Sequence, residues 1–292
     1  MTDTKTQVVT HTVAAPGATI TYDVREVPGS RERPLMLIGS PMGAEGFGSL
    51  RGHFTDRTVI TYDPRGSERS VKDDPASYVD PELHADDVSR VIEAAGVGPV
   101  DLFASSGGAV NALALVAKHR EQVSRLIAHE PPLAALVPDS ESALAVCKAV
   151  AKTYDSGGWG AGMAHFIALT SHEGPFTAEF LEQPPPDPAM YGMPTEDDGT
   201  RTDPLLGQNM ITCTHYEPDL AALKSASTEI VVAAGSKSGE QLASRGAQAL
   251  ADRLGVSPVM FPGDHGGFLG GEYGQVGEPD AFGAKLREIL AG

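Results

Sequence analysis

The sequence predicts an α/β fold: an open, mostly parallel sheet of eight strands flanked by helices, with an inserted helical cap. Three observations predict it. Short apolar runs recur along the chain, helical hydrophobic patterns separate them, and one long stretch between two runs carries no strand pattern. The 292 residues are ample for one large core of this kind.

The chain opens with two β-branched stretches, residues 8–13 and 18–27, joined by Pro16-Gly17. In the second, Ile20, Tyr22 and Val24 alternate with Thr21, Asp23 and Arg25. That alternation predicts a half-exposed antiparallel hairpin. Residues 34–39, 58–63, 100–104, 123–129, 229–234 and 258–262 are short and largely apolar, as strands buried on both faces are. Between them, Val88, Val91, Ile92 and Ala95 form a helical stripe closed by Gly96. Residues 107–119 are apolar nearly all round and predict a buried helix. Leu242, Gly246, Leu250 and Leu254 repeat at i+4, and Phe282, Leu286, Ile289 and Leu290 make a final amphipathic helix.

Residues 132–224 break the rhythm, being far longer than an ordinary crossover. Helix-like stretches at 140–153 and 160–170 flank a glycine-rich hinge at 157–162, and a proline-rich stretch covers 183–194. The expected organisation is a core of residues 1–131 and 225–292, with 132–224 capping the sheet's C-terminal edge.

Lys and Arg number 22 against 39 Asp and Glu, a net charge of −17. Phosphate backbones and anionic lipid would repel such a chain, so nucleic acid and membrane partners are not expected. No apolar run approaches the roughly 18 residues of a membrane span, and residues 1–10 lack the apolar core of a secretory signal. The expected location is the cytoplasm and the expected partner a small-molecule substrate, with the oligomeric state left open. Cys147 and Cys213 are the only cysteines, too few for a disulfide framework, and read as buried reduced thiols. There is no H-E-x-x-H, no Walker loop and no G-x-G-x-x-G after a strand, so neither a metal nor a nucleotide cofactor is expected.

Ala104-Ser105-Ser106-Gly107-Gly108 follows a predicted strand and opens a predicted helix. This is a nucleophile elbow with alanine in the first small position. The tight turn needs small residues two before and two after the nucleophile. It lifts the Ser106 hydroxyl and aims the Gly107 N–H at the reaction centre. Ser105 is the rival hydroxyl, and spacing favours Ser106. The base is expected from His265, in Gly263-Asp264-His265-Gly266-Gly267-Phe268 after the last predicted strand. That loop falls on the same sheet edge as the elbow.

With the strings LIGSPMG, YDPRGSERS, FASSGGA, AHEPP and PGDHGGF, the chain resembles small bacterial members of the α/β-hydrolase superfamily over nearly its whole length. The resemblance implies a Ser–His–acid triad and an oxyanion hole of two backbone N–H groups. The second N–H falls in Ile38-Gly39-Ser40-Pro41, where relatives usually carry His-Gly. Pro41 has no N–H, so Ser40 is the expected donor beside Gly107. Residues 62–70 resemble the family's D-x-R-G-x-G-x-S loop, with Glu68 replacing a glycine. Asp63 and Arg65 there are expected to brace the site and not to react.

The acid departs from the family pattern. Relatives commonly carry Gly-x-x-Asp where this chain reads Gly235-Ser236-Lys237-Ser238. Certain haloalkane dehalogenases place the acid after the strand that follows the nucleophile helix, which here is Glu130, before Pro131 and Pro132. Glu130 is the favoured acid and Glu240 the alternative, while His129 is expected to be structural. Met163, His165, Phe166, Met190, Tyr191, Met193, Met210, His215 and Tyr216 populate the insertion. Adaptable methionines there suggest a broad apolar pocket, and ordinary cap core is the plainer account. Met42, Ser105, Phe166, His215 and Tyr216 are the candidate substrate contacts.

The leading expectation is a serine hydrolase acting on an ester or lactone of a sizeable apolar molecule. The missing family acid and Ile38 leave two rivals: non-hydrolytic biosynthetic chemistry through His265, and a ligand-binding protein that has lost turnover.

Overall fold

A computed structural model describes residues 7–292. The polar N-terminal stretch therefore lies mostly outside the described residues. In chain order the elements are β1 (Val8–Ala15), β2 (Ala18–Arg25), β3 (Leu35–Ile38), α1 (Gly48–Gly52), β4 (Val59–Tyr62), β5 (Val71–Lys72), α2 (Pro81–Ala95), β6 (Val100–Ser105), α3 (Gly107–Lys118) and β7 (Val123–His129). The inserted segment holds α4 (Ser140–Ser171), α5 (Ala178–Glu182), α6 (Met210–Thr214) and α7 (Leu220–Ser225). The chain then closes with β8 (Glu229–Gly235), α8 (Leu242–Leu254), β9 (Val259–Phe261) and α9 (Pro279–Ala291).

Eight strands run in the order β1-β2-β4-β3-β6-β7-β8-β9, and the two-residue β5 pairs with β2 as a ninth. The hairpin β1–β2 and the β2–β4 pair are antiparallel. From β4 to β9 every pairing is parallel. Strand residues alternate between two cores, as the pleat requires. Met36, Ile38, Leu102, Ala104, Leu126 and Ala128 face a cluster with α2, α3 and α8. Leu35, Leu37, Phe103, Ile127 and Phe261 face one with α1 and α9.

Local chemistry fixes the helix ends. Asp80 caps α2 by accepting from Leu83 N at 2.9 Å, Pro81 fills its first turn, and Gly96 closes it at φ 68°. The two helical stretches expected at 140–153 and 160–170 are halves of α4, broken at Gly158, which has φ 79° and ψ −172°. The hinge lies within the glycine-rich stretch, and a Cβ at Gly158 would stand 2.4 Å from Asp197 Oδ1. Both cysteines are unpaired and buried.

The half-exposed reading of β2 is corrected. Thr21, Asp23 and Arg25 are buried because loops cover their face. Asp23 accepts from Arg69 Nη1 and Nη2 at 3.1 and 3.0 Å, and Thr21 N donates to Ser70 Oγ at 2.8 Å. Arg25 donates to the carbonyls of Arg51 and Phe54. These charge-assisted bonds offset the desolvation that made burial of such residues look unfavourable. No helix among the described residues is long and apolar enough to cross a membrane.

Candidate active site

The parallel strands end along one edge, and the segments that carry chemistry leave from it. At the end of β6, Ser106 has φ 57° and ψ −129°, outside the regions a residue with a side chain ordinarily adopts. Its N–H donates to His129 O at 2.9 Å, and its carbonyl accepts from Ala109 N at 2.9 Å to start α3. The sharp bend is possible because the next turn meets β3 backbone to backbone. A Cβ on Gly108 would lie 2.7 Å from Gly39 Cα, and one on Gly107 would lie 2.6 Å from Ser40 O. The same contact brings the backbone of Ser40 against that of Gly107. Neither N–H has a backbone acceptor among the described residues.

The candidate acid stands where the strand after α3 ends. β7 stops at His129, and Glu130 turns the chain with φ 47°. Its carboxylate is completely buried. Oε1 accepts from Gly235 N at 2.7 Å, and Oε2 accepts from His265 Nδ1 at 2.6 Å. Burial pushes the carboxyl up. The hydrogen bond from His265 and the adjacent imidazoles outweigh burial and hold it at about 2. Ser238, in the position of the usual family aspartate, is buried next to Gly235. Glu240 is exposed and lies beside Gly174, whose N–H donates to the Glu240 carbonyl at 3.0 Å. Its carboxylate makes no hydrogen bond to His265, whose Nδ1 is bound to Glu130.

His265 is delivered by the loop after β9. Gly263 reverses the chain at φ 82°, and Asp264 Oδ1 accepts from Gly266 N at 3.0 Å to close the turn. The imidazole side chain is 40% exposed against 1% for its carboxylate partner, so the ring is anchored from below and open above. With Nδ1 bound to Glu130, Nε2 is the nitrogen left for chemistry. No hydrogen bond joins it to Ser106 among the described residues. Nucleophile–base bonds are often long before substrate arrives.

His129 is buried, with Nδ1 3.0 Å from Ser105 Oγ and Phe103, Phe261 and Phe282 around its ring. Burial pushes its imidazole down to about 4, so it is neutral. Ser105 is therefore corrected as a substrate contact, because its hydroxyl points into the interior and is taken by His129. Tyr216 is corrected too: its hydroxyl donates to Glu82 Oε1 at 2.7 Å and ties the insertion to α2. His215 turns Nδ1 back to Ile211 O at 3.1 Å. Phe166 packs on the larger core. Met42 folds over Gly39 and Gly46 and packs on the smaller core.

Sequence reasoning missed Asn209. It ends a π-helical turn, Leu205–Asn209, and is buried. Its Nδ2 donates to Ser40 Oγ at 2.6 Å, joining the insertion to the loop that carries one candidate oxyanion N–H. No motif marks it; only the three-dimensional path of the insertion brings it there.

A cavity of about 520 Å³ lies against Ser40 and Asn209 and is walled by Arg65, Ser67, Lys72 and His84. None of Met42, Ser105, Phe166, His215 and Tyr216 lines it, and no methionine does. Its wall mixes charged and hydroxyl groups with apolar ones, and neither Ser106 nor His265 is part of it. Among the described residues no three His, Cys, Asp or Glu side chains form a metal-ligating group.

Comparison with known proteins agrees with this geometry. Residues 47–186 match the family model described as alpha/beta hydrolase fold. An uncharacterized hydrolase of Bacillus subtilis (strain 168), YraK, is 33% identical over 272 residues, covering 88% of this chain and 89% of that protein. A thermophilic esterase from Thermogutta terrifontis superposes with a TM-score of 0.66 at 19% identity, covering 98% of each chain. The enol-lactonase from Burkholderia xenovorans LB400 gives 0.66 at 17% identity, over 97% of this chain and 100% of that one. The sheet order, the elbow and the extent of these matches establish that the chain belongs to the α/β-hydrolase fold family.

Proposed function

We propose that the protein is a serine hydrolase that cleaves a carboxylic ester or lactone through an acyl-enzyme. The observation that carries the proposal is the 2.6 Å bond from His265 Nδ1 to the buried Glu130 carboxylate. It fixes the tautomer that leaves Nε2 free as a base. Nε2 takes the Ser106 proton while Oγ attacks the carbonyl carbon. The negative charge on the carbonyl oxygen falls to the Ser40 and Gly107 N–H groups. Collapse expels the alcohol, which receives the proton from His265, and leaves Ser106 acylated. Water then repeats the sequence and releases the acid. Glu130 stabilises the imidazolium in both halves. Residues 132–224 cap the site.

The missing family acid favoured non-hydrolytic chemistry, and Glu130 supplies a carboxylate in its place. The name of the Bacillus relative, and the esterase and lactonase among the neighbours, point the same way. The test is p-nitrophenyl ester turnover together with fluorophosphonate labelling. Both are expected in the wild type and lost in Ser106→Ala. A folded wild type that shows neither removes the proposal.

A further inference from the structure

The insertion meets the loop after β3 through one short turn. Asp203 starts that turn by accepting from the N–H groups of Leu205 and Leu206 at 3.0 and 2.8 Å. Trp159 Nε1 donates to the same carboxylate at 3.0 Å. Asn209 N then donates to Pro204 O at 3.1 Å, the i→i+5 bond of a π-helix. Such turns are rare and recur at functional sites.

The side chain at the end of this turn is Asn209. It is buried, as are Ser40, Gly107 and Cys213. Its Nδ2 donates to Ser40 Oγ at 2.6 Å, the one hydrogen bond of that hydroxyl among the described residues. Cys213, a turn further on in α6, donates from Sγ to Asn209 Oδ1 at 3.7 Å, a weak bond that orients the amide with Nδ2 toward Ser40. The Oδ1 end rests against the elbow. A Cβ on Gly107 would lie 2.9 Å from it and 3.2 Å from Cys213 Sγ. One amide is thus wedged between the two backbone segments to which the oxyanion is assigned. Ser40 needs such a hold, because the ladder of β3 with β6 ends at the pair Ile38 and Ala104. Ser40 lies beyond the pairing that fixes the rest of its strand.

We propose that Asn209 is a positioning residue, supplied by the insertion to hold the Ser40 N–H where the carbonyl oxygen of the substrate becomes negative. The proposal rests on the serine-hydrolase reading and adds that the insertion sets part of the oxyanion hole. Asn209 acts through Ser40 and not on the substrate. Oxyanion donors are effective because they are in place before charge develops. A misplacement of about 1 Å can cost about a hundredfold in rate. A bond that fixes such a donor therefore bears on kcat, and little on KM.

The test is steady-state hydrolysis of p-nitrophenyl butyrate by the full chain. Asn209→Ala is expected to lower kcat about tenfold or more while KM stays within about twofold. Ser40→Ala keeps the N–H and removes the other end of the bond, so kcat should fall there too. The double variant should fall no further than Asn209→Ala alone, since both changes break one interaction. Trifluoroacetophenone gives a second readout, because its adduct with Ser106 carries an oxyanion. Its inhibition constant should rise in Asn209→Ala by about the factor that kcat falls. Gln208→Ala cuts a neighbouring tie, from Gln208 to the Ser77 carbonyl at 3.0 Å and the Val79 N–H at 2.6 Å. It should stay within about twofold of wild type.

Thermal melting checks that each variant folds, and if Asn209→Ala does not, Ser40→Ala decides by the same two readouts. An unchanged kcat in folded Asn209→Ala overturns the proposal. So does a double variant that falls by the product of the two single losses, or an equal loss in Gln208→Ala. Each of these leaves the hydrolase reading standing. A wild type with neither ester turnover nor fluorophosphonate labelling removes both.

Discussion

Glu130 and His265, 135 positions apart in sequence, share a 2.6 Å hydrogen bond across the top of β8. Glu130 leaves β7 and His265 follows β9, and the strand between them contributes the Gly235 N–H that holds the other carboxylate oxygen. One carboxylate oxygen is thus fixed by the strand while the other meets the imidazole. A long side chain that started from this strand end would otherwise have several rotamers to choose from.

Removing the charge at Glu130 is expected to cripple turnover without unfolding the protein. Glu130→Gln should lower kcat/KM for a p-nitrophenyl ester by roughly 10³- to 10⁴-fold, as loss of the orienting carboxylate does in other triads. Glu240→Gln should stay within about twofold of wild type, in line with small surface effects. Steady-state kinetics on the two variants settles which carboxylate serves, and the reverse ranking would move the acid to Glu240.

The two adjacent serines are expected to separate cleanly. Ser105→Ala strips the buried His129 Nδ1 of its partner and should cost about 1–3 kcal/mol of stability. It should still react with fluorophosphonate, because Ser106 is intact. Urea unfolding and labelling on one preparation check both. Loss of labelling in well-folded Ser105→Ala would transfer the nucleophile to Ser105.

Stability is expected to fall on the acid side in two stages. His129 is held neutral by burial, its value lowered from 6.5 to about 4. The unfolded chain therefore binds a proton there first, and stability drops as pH falls from about 6.5 to about 4. Glu130 is held down from 4.5 to about 2. Its contribution is fully present above about 4.5 and is lost as pH falls toward about 2. Urea unfolding across this range should show both limbs in the wild type, and Glu130→Gln should lose mainly the lower one. A wild type as stable near pH 4 as near pH 7 contradicts the first stage.

Much of this fold is legible in the sequence because strands buried on both faces leave continuous apolar runs. Residues 34–39 and 123–129 could scarcely be anything else, and Gly107 and Gly108 announce a bend where no side chain fits. Pro131 and Pro132 mark in the sequence where the strand before Glu130 must stop. Glu68, noted because relatives have glycine there, takes a left-handed φ of 48°, a conformation that favours glycine. What stayed hidden depends on distant chain. The polar face of β2 is covered by Arg69 and Ser70, which no alternation pattern reveals. The hydroxyls of Ser105 and Tyr216 go to partners that only tertiary structure supplies. Asn209 and the cavity by Ser40 arise from where the insertion lands, and local propensity carries no record of that.

The bend at Ser106 sets heat tolerance against turnover at a single peptide torsion. A left-handed backbone costs a residue with a side chain about 1–2 kcal/mol, and glycine escapes that cost. Ser106→Gly should therefore be an inert protein whose melting temperature lies a few degrees above that of its parent, to be read by calorimetry on the pair. At this one position endurance and the proposed nucleophile pull in opposite directions.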